Sequence, residues 1–161
     1  MPGVRLGTIE VVVFRTAGAP APAPEFLVLK RSDRASPYPG LWQTVSGRIE
    51  KGEKAWEAAV REVREETGLR LQELYNTPLT NTFYVMEDDA VNLSPVFAAR
   101  VDAGAEIILS DEHSAFAWLG REEAVARLVW PGQKSAIQCV MDFILREGAP
   151  RNALIRRDVS A

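Results

Sequence analysis

A segment of 23 residues, 47–69, constrains the fold most, because GRIEKGEKAWEAAVREVREETGL combines a glycine-containing loop with a helix that has two unlike faces. Residues 47–52 predict a loop and residues 53–67 predict a helix. Gly68 ends that helix, since glycine adopts a left-handed conformation at low cost. The apolar side chains of the helix share one stripe: Trp56, Ala59, Val60 and Val63. That stripe must pack on a core, which leaves the other face for polar groups.

The second face of this helix is acidic. Glu62, Glu65 and Glu66 stand at positions i, i+3 and i+4, and at about 100° per residue they share one side of the helix. Like charges at this spacing repel, and a bound cation would compensate them. Mg²⁺ prefers such oxygen ligands. Arg61 and Arg64 offer a second explanation, because they could neutralise a solvated acidic face without any metal.

The order of the residues carries more information than their spacing on the helix. Nine positions follow a fixed order over 23 residues: Gly47, Glu53, residues 61–63, residues 65–66 and residues 68–69. This order resembles the signature of the Nudix (MutT-like) hydrolases at every fixed position. The resemblance implies an α/β/α sandwich with a curved mixed β-sheet and a catalytic loop-helix-loop. It also implies hydrolysis of a phosphoanhydride bond in a nucleoside diphosphate linked to another group.

By the same resemblance, Glu62, Glu65, Glu66 and the backbone carbonyl of Ser46 would bind Mg²⁺, with Mn²⁺ as a possible substitute. Glu62 and Glu66 would also be catalytic. Arg61 would be structural, because its hydrogen bonds would hold Glu53 and the loop. The residues expected to have structural roles are Gly47, Glu53, Arg61 and Gly68.

A second stretch, SDEHSAFAWL at residues 110–119, is similar to a Nudix stretch in which an acidic residue precedes a strand. Glu112 would then be a further metal ligand or the general base, and we favour the base. A solvated loop carboxylate is the alternative interpretation of Glu112. His113 is the one histidine of the chain, and a lone histidine is more often a loop or packing residue than a catalytic one.

A second, looser resemblance indicates the class of substrate. WQTVSGRIEKGE, EHSAFAWL and the region of Trp130 look like the dihydroneopterin triphosphate pyrophosphatase branch. The implied substrate is a nucleoside triphosphate or dihydroneopterin triphosphate. The candidates for substrate contact are Arg31, Arg34, Arg48 and Lys134 for phosphates, and Trp42 and Phe83 for a base or pterin ring. Surface charge and core packing are the respective alternatives. A Nudix-fold nucleotide-binding module without catalysis is the alternative function, and such modules generally lack some of the glutamates.

Composition limits the class of protein. The chain has 161 residues, 47% of them hydrophobic, and a net charge of −3, so no basic surplus favours nucleic acid. A polyanionic substrate would therefore need a metal bridge. One cysteine, Cys139, excludes an intrachain disulfide and fits the cytoplasm, and we expect it to be buried and inert. Residues 1–10 lack a signal-peptide layout, and no apolar run would span a membrane. Monomer and homodimer both stay open.

The remaining elements predict α/β organisation in one domain, residues 1–161, with a core over about 4–147 and a tail, 148–161, without clear pattern. The predicted strands are 9–14, 26–30, 41–45, 74–86, 93–101 and 115–119. The predicted helices besides 53–67 are 121–128 and 133–146. Residues 16–25 are rich in proline and predict an exposed hairpin connection.

Overall fold

The computed structural model describes residues 1–147, 150 and 153–159, and within them nine strands form one mixed sheet. The strands are β1 (Gly3–Arg5), β2 (Thr8–Ala17), β3 (Ala23–Arg31), β4 (Trp42–Gln43), β5 (Val45–Arg48), β6 (Leu71–Val85), β7 (Ala90–Val101), β8 (His113–Leu119) and β9 (Leu154–Val159). The helices are α1 (Ala55–Thr67), α2 (Arg121–Arg127) and α3 (Pro131–Cys139). A 3₁₀ turn, Met86–Asp88, joins β6 to β7.

Strand β2 forms the centre of the sheet. It pairs antiparallel with β3 and β5 and parallel with β7. Its side chains from Ile9 to Phe14 are all buried, because helices cover both faces of the sheet here. Ile9, Val11 and Val13 point to one face, and Val12 and Phe14 point to the other.

The two faces carry separate hydrophobic cores. Ala59 and Val63 of α1 pack on the first face, and Ala124 of α2 and Ile137 of α3 pack on the second. The predicted arrangement of a mixed sheet between helices is therefore confirmed. The strands predicted at 74–86, 93–101 and 115–119 are also present, with shifts of up to three residues at their ends.

Helix α1 begins at Ala55, two residues later than the spacing predicts. The Glu57 carboxylate accepts a hydrogen bond of 2.9 Å from the backbone N–H of Lys54, which supports the first turn. At the other end Gly68 has φ 70°, and its N–H donates to the Arg64 carbonyl at 2.8 Å. This left-handed residue turns the chain away from the helix, as predicted.

Two predicted elements have different bounds in the structure. The strand predicted at 41–45 is split into β4 and β5, and β5 continues through Gly47, which the sequence predicts as loop. The helix predicted at 133–146 begins earlier, at Pro131, and its regular α part ends at Cys139. A π-helical turn, Val140–Ile144, continues it.

Two strands near the ends of the chain differ from expectation. Strand β9 lies in the tail that has no clear pattern and pairs antiparallel with β6, while β1 pairs parallel with β7. Both strands are short and lie at the margin of the sheet, so backbone pairing rather than side-chain alternation defines them.

Cys139 is half-buried rather than buried, and burial raises the pKa of its thiol. None of the helices among the described residues is long and apolar enough to cross a membrane.

Candidate functional site

The site begins where β5 meets α1. The carboxyl group of Glu62 occupies the space that a Cβ atom at residue 47 would need, so only glycine allows this approach. Gly47 therefore lets the helix place Glu62 directly against the backbone of β5. The neighbouring Ser46 donates its backbone N–H to the Glu66 carboxylate, which brings a second glutamate to the same strand.

Arg61 holds the loop and the helix together. Its Nε and Nη2 donate to the two oxygens of Glu53 at 2.9 and 3.0 Å, and Nη2 also donates to the Arg48 carbonyl at 2.8 Å. Its Nη1 donates to Glu62 at 2.8 Å and to Glu65 at 3.1 Å. The hydrogen bonds with Glu53 raise the pKa of Arg61 and lower the pKa of Glu53. The contacts of Arg61 with Glu53 and the loop have the form that the sequence predicts for a structural arginine.

The three glutamates of the acidic face have unequal surroundings. Glu66 is only 4% exposed, Glu62 is half-buried, and the side chain of Glu65 is 59% exposed. Burial raises the pKa of Glu62, although the Arg61 hydrogen bond opposes this effect. Burial also raises the pKa of Glu66 well above its usual value, and the charges of Glu62 and Glu112 raise it further. Glu66 is thus the carboxylate whose ionised form most needs a compensating positive charge.

Glu112 lies at this site, in the exposed turn before β8. Its negative charge raises the pKa of both Glu62 and Glu66, so the three carboxylates lie close enough to interact. Its backbone carbonyl accepts a hydrogen bond of 2.8 Å from the N–H of Ser32, and Ser110 donates its N–H to the Glu66 carbonyl at 3.2 Å. These bonds fasten the turn to β3 on one side and to α1 on the other.

His113 lies beneath Glu66. Its side chain is fully buried, and its Nε2 lies 3.9 Å from Glu66 Oε2 and 3.3 Å from Gln43 Nε2. Burial and, as the smaller cause, the positive charge of Arg31 lower the pKa of His113 to about 4, so the ring is neutral at pH 7. His113 is a packing residue against the site, and it connects the carboxylates to β4.

The substrate-binding candidates from the sequence do not all lie here. Arg31 pairs with His113 in the register of β3 and β8, and its charge lowers the pKa of Glu66. Arg48 ends β5 with an exposed side chain. Lys134 and Trp42 belong to the opposite face of the sheet, where the guanidinium of Arg127 lies 4.8 Å from the Trp42 ring centre. Arg127 thus lies over the ring that was expected to stack on a base.

Two buried polar residues, Gln43 beside His113 and Glu10 on the α3 side of the sheet, are not among the candidates from the sequence. Gln43 contacts His113, and Glu10 hydrogen-bonds Thr44 next to it. For Glu10 a signal exists, since it is the one charged residue within the apolar run IEVVVF. For Gln43 the only signal is a polar residue in a short strand, which surface residues also give.

The oxygen donors of the site are arranged around Glu66. Within the described residues, no three acidic, histidine or cysteine side chains converge as a ready-made metal site, and Arg61 binds Glu53, Glu62 and Glu65. The same region nevertheless contains four of the buried side-chain atoms that have no hydrogen-bond partner among the described residues: Arg31 Nε, Glu66 Oε2, Ser110 Oγ and His113 Nδ1. A buried carboxylate oxygen without a donor, beside two further carboxylates, fits a hard divalent cation.

The comparison with family models decides the family. The NUDIX domain model matches residues 5–140. The chain belongs to the NUDIX family. This NUDIX domain is 33% identical over 133 residues to an octanoyltransferase of Myxococcus xanthus. The aligned region covers 81% of this chain and 35% of that protein. Because the chain spans only about a third of that relative, the transferase name does not carry over.

Two further proteins resemble this NUDIX domain. It is 34% identical over 121 residues to the asymmetrical bis(5'-nucleosyl)-tetraphosphatase of Mus musculus, covering 71% of this chain and 76% of that protein. The structure of the E. coli dihydroneopterin triphosphate pyrophosphohydrolase superposes with a TM-score of 0.64 and 26% identity, covering 83% of this chain and 95% of that chain. Its overall architecture agrees with the fold described above.

The raised pKa of Glu66 has a consequence for the metal-free protein. Because the pKa is higher in the folded state, the unfolded state loses its proton first as the pH rises from about 4.5, and stability falls until the folded pKa is passed. Glu66→Gln removes this loss. Melting curves in EDTA should therefore show the variant more stable than the wild type, by a margin that is small at pH 5 and larger at pH 8.

Glu57→Gln is the matched control for this prediction, since Glu57 belongs to the same helix but lies outside the carboxylate cluster. Its difference from the wild type should not widen with pH. If the stability difference between Glu66→Gln and the wild type is the same at pH 5 and pH 8, the ionised Glu66 carboxylate does not destabilise the folded protein.

Proposed function

We propose that this NUDIX domain is a Mg²⁺-dependent pyrophosphohydrolase that cleaves a phosphoanhydride bond in a nucleoside diphosphate linked to another group. The observation that carries the proposal is the buried Glu66 carboxylate, with one oxygen unpartnered among the described residues, next to Glu62 and Glu112. A cation that lowers the free energy of this cluster would also neutralise phosphate charge, which is the main requirement of phosphoanhydride hydrolysis.

The proposed ligands are Glu62, Glu65, Glu66 and the backbone carbonyl of Ser46, with Mg²⁺ as the cation and Mn²⁺ as a substitute. When bound, the ion would supply charge neutralisation and a more acidic water. Arg61 would keep its paired hydrogen bonds to Glu53, so that the loop and the helix stay in place while Glu62 and Glu65 bind the ion. Gly47 would keep Glu62 against β5.

Glu112 is the proposed general base. Glu62 and Glu66 are expected to be weak bases once a cation lies beside them, because a nearby positive charge lowers a carboxylate's pKa. Glu112 is exposed and close to both of them, so it could accept a proton from the attacking water without leaving the turn. The bonds from Ser32 and Ser110 position that turn.

The proposed substrates are nucleoside triphosphates and dihydroneopterin triphosphate. The names of the mouse relative and of the E. coli structure both refer to substrates with several linked phosphates, which supports this class. Arg31 is the first candidate for a phosphate contact, because it lies beside the carboxylates. Arg48 is the second, while Lys134 and Trp42 are less suited to the phosphates from the opposite face. A cytoplasmic location and a monomeric or homodimeric state are part of the same proposal.

A nucleotide-binding domain without catalysis is the alternative. Arg61 favours it to some extent, because its bonds to Glu62 and Glu65 compete with a cation for the same oxygens. The presence of all three glutamates favours the enzyme. Release of pyrophosphate or phosphate from a nucleotide panel, with and without Mg²⁺, distinguishes the two.

The first prediction for this activity concerns the metal and Glu66. Turnover should vanish in EDTA and return with Mg²⁺ or Mn²⁺, and Glu66→Gln should lower kcat by two orders of magnitude or more, about 2.7 kcal/mol. Glu57→Gln should retain near-normal turnover. Full activity in a metal-free preparation, or normal kcat in Glu66→Gln, would contradict the mechanism.

The second prediction separates Glu112 from Glu62. Glu112→Gln should lower kcat strongly and leave the Mg²⁺ concentration for half-maximal rate nearly unchanged, since a base outside the metal shell does not set metal affinity. Glu62→Gln should raise that Mg²⁺ concentration as well as lower kcat. If Glu112→Gln keeps its turnover, or changes only the Mg²⁺ requirement, Glu62 becomes the leading base.

A further inference from the structure

A row of polar side chains interrupts the apolar face of the sheet on which α3 packs. It consists of Glu10 of β2, Asn81 of β6, and Asn92 and Ser94 of β7, and we call these four residues the polar floor. Asn92 and Ser94 continue the same face as Val96, and Asn81 pairs with Ser94 in the register. Glu10, Asn92 and Ser94 are less than 10% exposed. Burying so many polar groups together is costly unless they have partners.

Glu10 has partners for part of its hydrogen-bonding capacity. Its Oε1 accepts from the Thr44 hydroxyl at 3.0 Å, and its Oε2 accepts from Asn81 Nδ2 at 2.6 Å. A carboxylate has about four acceptor positions, so each oxygen can accept another donor. Burial raises the pKa of Glu10. Two residues earlier on the same strand face, the buried Thr8 Oγ1 has no partner among the described residues. Glu10 and Thr8 therefore keep unused hydrogen-bonding capacity on this side of the sheet.

The start of α3 borders the polar floor. A Cβ at Gly132 would lie 2.7 Å from the Asn81 side chain, and Gln133 Oε1 accepts the Thr44 N–H at 3.4 Å. On the other side Phe83 follows Asn81 by two residues on the same face and is 46% exposed. The polar floor is thus covered by α3 at one end and reaches an exposed aromatic residue at the other.

An aromatic pair lies at the covered end. Trp130, which directly precedes α3, packs edge-to-face with Tyr38 at a centroid distance of 4.9 Å. Tyr38 is 54% exposed and has φ 63°, a left-handed conformation that is uncommon and unfavourable for a bulky residue. The loop of Tyr38 is fastened to the candidate active site, because Gly40 donates its N–H to the Arg31 carbonyl at 3.1 Å. A ring at Tyr38 and phosphates near Arg31 could therefore belong to one substrate.

We propose that the polar floor and the Tyr38–Trp130 pair bind the planar ring of the substrate, and that Glu10 selects rings with two adjacent N–H donors. The proposal rests on the proposed hydrolase function and names its substrate class. Guanine and pterin both present a ring N–H beside an amino group, which an acceptor-only carboxylate can bind together. Adenine presents a donor beside an acceptor, and its ring nitrogen would face the Glu10 carboxylate with a lone pair.

The test measures binding separately from turnover. Titration calorimetry with Mg²⁺ and the α,β-methylene analogues of GTP and ATP should give a dissociation constant at least about tenfold lower for the GTP analogue. Glu10→Gln should reduce this preference to about threefold or less by weakening the GTP analogue alone. Glu25→Gln, whose carboxylate pairs with Arg15 at 2.7 Å near the hairpin, should leave both affinities unchanged.

A second variant tests the aromatic pair at an exposed position, Tyr38. Tyr38→Ala should weaken both analogues by about fivefold or more and leave their ratio unchanged, since stacking does not depend on the donor pattern. Unchanged affinities in Tyr38→Ala would overturn the role of the pair. Turnover of dihydroneopterin triphosphate and GTP, compared by kcat/KM, then shows which of the two ring sources the enzyme prefers.

The outcomes separate this inference from the proposed activity. A GTP preference that Glu10→Gln removes, in a protein without turnover, supports the ring site and contradicts the hydrolase. Turnover without such a preference, or an equal loss for both analogues in Glu10→Gln, overturns the ring site and leaves the hydrolase intact. Failure of the GTP analogue to bind also overturns the ring site.

Discussion

The close approach of the Glu62 side chain to the backbone at Gly47 is the contact on which the rest of the site depends. It requires a residue without Cβ on β5 and a glutamate on the facing turn of α1. Arg61 stabilises this approach, because one guanidinium binds Glu53, the Arg48 carbonyl and the acidic face of the helix. Loop and helix are thereby fixed to each other, and Glu66 is carried one turn further into the protein, where its carboxylate is buried.

The free energy of this arrangement depends on charge. The carboxylates of Glu62, Glu66 and Glu112 lie close enough to interact, and Glu62 is the one of these three that pairs with Arg61. The same guanidinium also pairs with Glu53 and Glu65, so its charge is shared. The ring that lies 3.9 Å from the unpartnered oxygen of Glu66 is the neutral His113, and the positive charge of Arg31 offsets only part of the effect of burial on the Glu66 pKa. A divalent cation is the simplest way to stabilise the ionised cluster, and it would do so by displacing part of the hydrogen bonding of Arg61. Metal binding and the loop geometry are therefore linked in the proposed mechanism.

The sheet separates two kinds of recognition. The face toward α1 carries the acidic cluster, which suits metal ions and phosphates. The face toward α3 carries the polar floor and the aromatic pair, which suit a planar ring. Strand β5 connects the two faces, since Gly47 contacts Glu62 and the adjacent Ser46 lies opposite Glu10 in the register. A substrate with a ring at one end and phosphates at the other matches this division.

The sequence predicted the parts of the site that local patterns encode. The order of residues from Gly47 to Leu69 predicted the helix, its apolar stripe and its acidic face, because all three depend on spacing along one helix. The spacing along the helix predicted the same role for Glu65 and Glu66, because their different burial depends on what packs beside the helix. Arg127 over the ring of Trp42, and Gln43 against His113, are contacts between distant segments that no local pattern records. The pairing of β9 with β6 was missed for the same reason.

The role of the buried Glu66 carboxylate can be tested by cation binding to the protein without substrate. Mn²⁺ titrated into metal-free protein can be followed by the loss of the free-ion electron paramagnetic resonance signal. Saturable binding is expected for the wild type and for Glu57→Gln, and binding to Glu66→Gln should be weaker by about tenfold or more, about 1.4 kcal/mol. Equal binding by the wild type and Glu66→Gln, or no saturable binding by the wild type, would show that Glu66 does not hold a cation.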